Sequence, residues 1–199
     1  VGDYLPEDVV RTAMLMRANS LVKGYSGIRP ATVEMMLELL NRGVYPAVPS
    51  KGSVGASGDL SPLSHIALVL MGEGKAFVAG KLVTGAEALA AVGLFPVAFA
   101  AKEGLALING TQIMTAVGAL VVHDAALLRK AADIAAAMSL EALRGTRTAY
   151  DERIGRIRPH PGQLASGANL LKLTAESRIM EANENCSEVH DAYSKRCEP

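Results

Sequence analysis

Apolar positions recur with helical spacing along most of this chain. Pro6-Glu7-Asp8 supplies a proline and two acids, which suit the first turn of a helix and the positive end of its dipole. Val9, Val10, Ala13, Met14 and Met16 follow, and Gly24 is a natural stop. Pro30 opens a second helix, in which Val33, Met36, Leu37 and Leu40 define one buried face before Gly43 ends it. Ser61-Pro62 starts a third, running to about Met71. Phe77-Val78 and Leu82-Val83 flank Ala79-Gly80 as a small hairpin would. Thr84 and Glu87 have capping-box spacing and open an Ala-rich helix that stops at Gly93.

The longest element is predicted over residues 109–145. No proline falls between Gly110 and Leu143, and Gly118 alone interrupts a run of good helix formers. Such a helix is about 50 Å long. Apolar residues occupy most of its faces, so it is expected inside a bundle, closed by Gly145. Residues 146–170 hold Arg147, Arg153, Arg156 and Arg158 among Pro159, Pro161 and several glycines, which predicts an irregular, mobile connection. No internal repeat is evident. These elements define an all-α fold class, with long helices in a bundle and a single unit over 1–199.

Composition supports that picture. Hydrophobic residues make up 50% of the chain but aromatics only 4%, so Ala, Leu, Val, Ile and Met must form the core, as suits close-packed helices. Lys plus Arg and Asp plus Glu both number 20, and this balance argues against nucleic acid or a membrane surface as partner. Cys186 and Cys197 lie in no metal-binding or disulfide pattern, which points to a reducing, cytoplasmic setting. Apolar runs such as Ile113 to Val122 are too short to span a bilayer. A start at Val1 and a stop after Tyr193–Pro199 without helix closure suggest an internal fragment of a longer chain.

Residues 43–60 differ in character. Gly43, Pro46, Pro49, Gly52, Gly55 and Gly58 mark a loop whose backbone takes special angles or approaches another group closely. A phosphate-binding loop would end in Gly-Lys-Ser/Thr, which is missing. A nucleophile elbow needs Gly-x-Ser-x-Gly, and Asp59 breaks that pattern. A third reading is a triplet that cyclises on itself. The Gly58 nitrogen, with no side chain in its way, attacks the Ala56 carbonyl carbon. Ser57 loses its hydroxyl as water and a second water leaves the ring. The product is 4-methylidene-imidazol-5-one (MIO), a carbon electrophile that acts as a built-in cofactor. An Ala-Ser-Gly triplet alone carries little weight, since most such triplets are simple turns.

The flanks add more. Gly52-Ser53-Val54-Gly55-Ala56-Ser57-Gly58-Asp59-Leu60-Ser61-Pro62-Leu63-Ser64-His65 resembles the signature of the aromatic amino acid ammonia-lyase family. Leu105 to Gln112 looks like that family's second motif, and Arg158-Pro159-His160-Pro161-Gly162-Gln163 resembles a segment of its histidine-acting members. Val189-His190-Asp191-Ala192-Tyr193-Ser194-Lys195-Arg196-Cys197 is similar to its Val-Gln-Asp-Pro-Tyr-Ser-Leu-Arg-Cys motif. The resemblance covers nearly the whole chain, in the right order.

It implies a mostly helical lyase fold with MIO made from Ala56, Ser57 and Gly58, and no metal. Asp59 would assist cyclisation, or serve as a helix N-terminal acid. Asn109 would hydrogen-bond the prosthetic group or substrate, and also stands where a helix N-cap belongs. Gln112 reads as structural. Tyr193 would touch the ring or move a proton, and Arg196 would grip the substrate carboxylate with its planar fork. His65, His123 and His160 read as packing or structural residues. His190 stands where the histidine-acting enzymes carry Gln, an imidazole whose charge changes near neutral pH.

The implied reaction is non-oxidative deamination of an amino acid substrate, L-histidine to urocanate and ammonia. The family's tyrosine base lies upstream of the matched region and further active-site residues lie downstream. Its members are homotetramers whose sites draw on several subunits, so residues 1–199 alone are expected to be inactive. A phenylalanine or tyrosine ammonia-lyase or an aminomutase is the alternative, although Val54 and His65 lean away from plant-type phenylalanine enzymes. A catalytically silent helical scaffold is the alternative of another class, and the intact triplet argues against it.

Overall fold

Helical periodicity becomes buried faces in the computed structural model, which describes residues 1–183 and 192–196, without the side chains of Ser194 and Arg196. Helix α1 (Glu7–Leu21) buries Val10, Ala13, Met14 and Leu21, and α2 (Pro30–Asn41) buries Val33, Met36 and Leu39 against it. Pro30 takes the first helical position, where its missing N–H costs nothing. Helix α3 (Leu60–Leu70) adds Leu63, Ile66 and Leu70 to the same core.

The fold is mostly helical, with one small sheet. Strands β1 (Val44–Pro46), β2 (Lys75–Val78) and β3 (Lys81–Thr84) pair antiparallel in that order. The hairpin expected around Ala79-Gly80 is present, with Phe77 opposite Leu82 and positive φ at both turn residues, as a tight two-residue turn requires. Strand β1 was not expected. Tyr45 pairs with Phe77 and their rings stack at 5.0 Å, so a three-residue strand owes its place to a cross-strand contact remote in sequence. Helix α4 (Gly85–Ala91) begins with the predicted Thr84–Glu87 capping box.

A short helix that periodicity does not predict, α5 (Glu103–Ile108), precedes the long helix α6 (Gln112–Ala142). Glu103 anchors α5. It is 1% exposed, and its carboxylate accepts hydrogen bonds from the Arg29 guanidinium (2.6 and 3.0 Å), the Arg29 and Ala100 amides and the Thr32 hydroxyl. The Arg29 hydrogen bonds hold its pKa far below the usual carboxylate range, against the opposing effect of burial. The start of α5 is thereby tied to the N-terminus of α2.

The described contacts divide the chain into two compact units, Val1–Val122 and His123–Pro199. Helix α6 runs through both. It buries Ile113 and Ala116 in the first unit and Ala137 and Leu140 in the second. Between those ends residues 121–132 are all exposed, including Val122 and Leu128. Among the described residues, therefore, α6 is not enclosed on most faces as expected. An apolar face records a demand for burial but does not say that these 199 residues meet it. An 18-residue window in the helical stretch Glu103–Ala142 has mean hydropathy 1.7, enough by length and composition to cross a membrane. The short-run argument against a span thus does not hold for the helix as formed, although the core helix of a soluble protein meets the same test.

The irregular connection expected over 146–170 is instead largely helical. A 3₁₀ turn (Thr148–Tyr150) leads into α7 (Glu152–Ile157) and α8 (Pro161–Leu173). Pro161 sits in the first turn of α8 and Asp151 caps α7 through the Arg153 amide, so residues read as breakers serve as helix starts. In this second unit Asp133 of α6 is buried and accepts hydrogen bonds from Ser166 and Asn169 (2.8 Å) of α8, with Arg129 3.6 Å away. Helices α9 (Arg178–Ala182) and α10 (Tyr193–Arg196) complete the described elements.

Glu103→Gln is expected to lower stability by about 2 kcal/mol near neutral pH, the scale of lost hydrogen bonds to a buried charge. The folded carboxyl titrates below its ordinary value of 4.5, so its contribution is complete above that pH and is lost as pH falls below it. Denaturant midpoints of wild type and variant should therefore converge in acid.

Candidate active site

The loop before α3 is built from left-handed residues. Gly55, Ser57 and Gly58 have φ of 68°, 57° and 98°. For Ser57, which has a Cβ, this conformation costs about 1 kcal/mol or more. The strain falls on the residue that the cyclisation reading makes reactive. Ala56 and Ser57 are exposed, Gly58 is half-buried and Asp59 is buried.

The loop is held from its C-terminal side by a backbone-to-backbone contact. The Asp59 amide donates to the Gly110 carbonyl at 2.6 Å. A Cβ on Gly58 would run into the Gly110 backbone at its nitrogen, carbon and oxygen. Glycine at 58 is thus required twice, by its φ and by the approach of a second chain segment. Both oxygens of the Asp59 carboxylate, 7% exposed, are engaged. One oxygen accepts from the Met114 amide at 3.0 Å, the other from the Ser53 hydroxyl at 2.9 Å. Met114 lies in the first turn of α6, whose amides have no partner within the helix, so Asp59 caps α6 as well as starting α3. Ser53 in turn accepts from the Gly55 amide at 3.4 Å. One carboxylate therefore pins the loop on both sides of the Ala56-Ser57-Gly58 triplet.

Asp59 was expected either to assist cyclisation or to act as a helix N-terminal acid. The structure places its side chain on the N-terminus of α6, and it makes no capping bond to its own helix α3. Asn109 is the C-cap of α5, with φ −85° and ψ 95°, not the helix N-cap that its position before the long helix suggested. The intervening Gly110 and Thr111 separate it from α6, because the Gly110 carbonyl is turned to Asp59. Asn109 is exposed and directly precedes the residue on which Gly58 packs. The structure thus brings together the triplet, Asp59 and the Asn109-Gly110 turn. Gln112 is structural, as expected: it accepts from Arg17 Nη1 at 2.9 Å and donates to Ser20 at 3.3 Å.

Tyr193 is 72% exposed at the start of α10, in the second unit. Arg196 ends α10, and its side chain lies outside the described residues, as does the whole of His190. His65 is half-buried on α3 with its pKa pushed down by burial, then by the chain's amino terminus. His123 and His160 are exposed. Among the described residues no group of three or more His, Cys, Asp or Glu is arranged to hold a metal. A cavity of about 380 Å³ between α7 and α8 is lined by Tyr150, Ile154, Leu164 and Leu171, and no candidate residue lines it. Reading the sequence missed Ser53, Gly110 and Arg17. Arg17 was findable, as a lone charge in the apolar stripe Val10, Ala13, Met14, Leu21.

A mostly helical fold whose glycine-rich loop is strained at an Ala-Ser-Gly triplet fits one group of proteins. Over residues 1–199 the chain matches the model of the family described as aromatic amino acid lyase, and it belongs to that family. Among its curated relatives are histidine ammonia-lyases of Gloeobacter violaceus (55% identical) and Koribacter versatilis (56%), each matched over 100% of this chain and 39% of the relative. The chain thus spans about two fifths of the length of the curated relatives it matches. Among solved structures, histidine ammonia-lyase from Trypanosoma cruzi superposes with a TM-score of 0.85 at 42% identity, covering 99% of this chain and 36% of that one. Phenylalanine ammonia-lyase from Rhodosporidium toruloides gives 0.90 at 36% identity, covering 99% and 30%.

Asp59→Ala is expected to cost about 1–2 kcal/mol through loss of the α6 cap, with Asp59→Asn costing less because one acceptor survives. Gly58→Ala should cost more than about 1 kcal/mol, since the new Cβ meets both a forbidden φ and the Gly110 backbone. Chemical denaturation of each variant reads both effects.

Proposed function

We propose that this chain is the electrophile-bearing part of a histidine ammonia-lyase, which converts L-histidine to urocanate and ammonia. The observation that carries the reading is the clamped triplet: Ser57 strained at positive φ, with Gly58 and Asp59 fastened to Gly110, inside a chain 50–56% identical to histidine ammonia-lyases. These features suit an Ala56-Ser57-Gly58 triplet that closes into MIO. A loop pinned on both sides and compressed at glycine favours attack of the Gly58 nitrogen on the Ala56 carbonyl. Once formed, that group supplies an electrophilic carbon that helps the substrate's amine to leave.

The remaining work falls to side chains. Asp59 holds the loop end and the start of α6 in one arrangement, so that Asn109 is presented beside the triplet. Asn109 donates or accepts a hydrogen bond at the reacting centre, and Arg196 takes the substrate carboxylate in a bidentate pair. Tyr193 moves a proton or contacts the ring, and His190 binds the substrate, for which an imidazole can donate a hydrogen bond. In the overall reaction the Cα–N bond breaks, a β-proton is removed and a carbon–carbon double bond forms. We further propose a cytoplasmic homotetramer, with residues 1–199 inactive by themselves and no role for nucleic acid, membrane or metal.

A phenylalanine-type or aminomutase activity is the second reading. It is favoured by the fit to phenylalanine ammonia-lyase and to the phenylalanine aminomutase of Pantoea agglomerans, at a TM-score of 0.87. A substrate panel on the full-length protein separates the two. Ultraviolet absorbance should register urocanate from L-histidine, and no comparable cinnamate from L-phenylalanine. Ser57→Ala should lower turnover by more than about three orders of magnitude, since no ordinary side chain replaces the electrophile. Retained turnover in that variant would end the MIO reading.

A further inference from the structure

Behind the Gly58–Gly110 contact lies a cation with no role in the chemistry above. Arg17 projects from the buried face of α1 and is 6% exposed. Its Nη1 donates to the Gln112 side-chain oxygen at 2.9 Å and its Nη2 to the Ala106 carbonyl. Its Nε is buried without a partner, and no carboxylate pairs with it among the described residues. Burying a guanidinium without an anion is costly, and an apolar side chain would fill this position in the α1 stripe without that cost. The partial negative charge at the carbonyl end of α5 offsets only part of it.

The partners of Arg17 show what the charge holds. Ala106 belongs to α5 and Gln112 is the first residue of α6, so the guanidinium bridges the two sides of the 109–111 turn. Gly110 lies at the middle of that turn, and a Cβ on it would meet Arg17 Nη1 and Gln112 Oε1, so the guanidinium packs directly on this residue. The same residue's backbone meets Gly58, and its carbonyl accepts the Asp59 amide at 2.6 Å. The guanidinium, the Gly110 backbone and the end of the triplet therefore form one chain of contacts.

We propose that Arg17 is a positioning residue for formation of the electrophile: it fixes the 109–111 turn as the rigid backstop against which Ala56-Ser57-Gly58 is compressed. The proposal rests on the reading that this triplet cyclises. In that step the Gly58 nitrogen bonds to the Ala56 carbonyl carbon. The Ala56 oxygen leaves as water with the amide protons of Gly58 and Ser57, and the Ser57 hydroxyl leaves as a second water with its α-proton. No oxidant is needed. Attack requires Gly58 to stay close to Ala56, and the Gly110 backbone blocks the retreat of Gly58 only while the turn itself cannot move. Lysine could hold one of the two acceptors but lacks the planar fork that spans both.

The test compares full-length wild type, Arg17→Met and Arg17→Lys by intact-mass spectrometry. Met36→Ala, a core substitution in α2 away from the loop, controls for lost stability. Wild type and Met36→Ala are expected to be two waters lighter than their encoded sequences. Arg17→Met should show at least a tenfold smaller ratio of dehydrated to intact chain, and Arg17→Lys an intermediate one. Arg17→Lys carries the test if the methionine variant does not fold. Complete dehydration of the folded arginine variants overturns the clamp, and so does an equal loss in Met36→Ala. A wild type that keeps both waters would instead overturn the cyclisation reading beneath it.

Discussion

The contact of Gly58 and Asp59 with the backbone of Gly110 is the constraint on which the site depends. Two loops far apart in sequence meet there, and a Cβ on Gly58 would run into the Gly110 backbone. A hydrogen bond of 2.6 Å and a buried carboxylate then lock the meeting point. Local strain at Ser57 persists only because its surroundings over-determine it. The clamp supplies that determination from outside the loop.

The clamp has its own supports, and each is a buried polar group that would be costly if left unpaired. Glu103 ties α5 to α2, which sets where the 109–111 turn falls. Asp59 caps α6, which sets where the long helix starts. Arg17 spans the gap between them. Apolar packing of α1, α2 and α3 forms the body of the first unit, but it is non-directional and could not place one carbonyl opposite one amide. The polar groups provide that registration, and removing one partner exposes the full desolvation cost of the other.

Helix α6 illustrates how far composition can be trusted. Its apolar faces correctly predicted a long uninterrupted helix, yet residues 121–132 stand exposed in the chain as described. The apolar surface implies a covering that the described residues do not provide, and the chain spans 39% of the length of its curated relatives. The stretch 146–170 erred the other way. Its arginines, glycines and prolines suggested an irregular, mobile connection, but Pro161 and Asp151 act as helix starts there. Proline and aspartate mark a boundary, and the sequence does not say on which side of it the order lies.

By itself the sequence determined the helical class, the first three helices, the hairpin, the α4 capping box and the place of the Ala56-Ser57-Gly58 loop before α3. Each of these depends on neighbours within a turn or two of helix, or on a short contiguous motif, so the physics that decides them is local. Tertiary structure alone decided that Asp59 caps a helix other than its own, that Asn109 ends α5 rather than opening α6, that β1 forms on Phe77, and that Arg17 stands behind Gly110. In every one of those cases the deciding partner lies at least thirty residues away or depends on a carbonyl turned toward such a partner, and a side chain's choice among distant acceptors is settled only when the helices that carry them have packed.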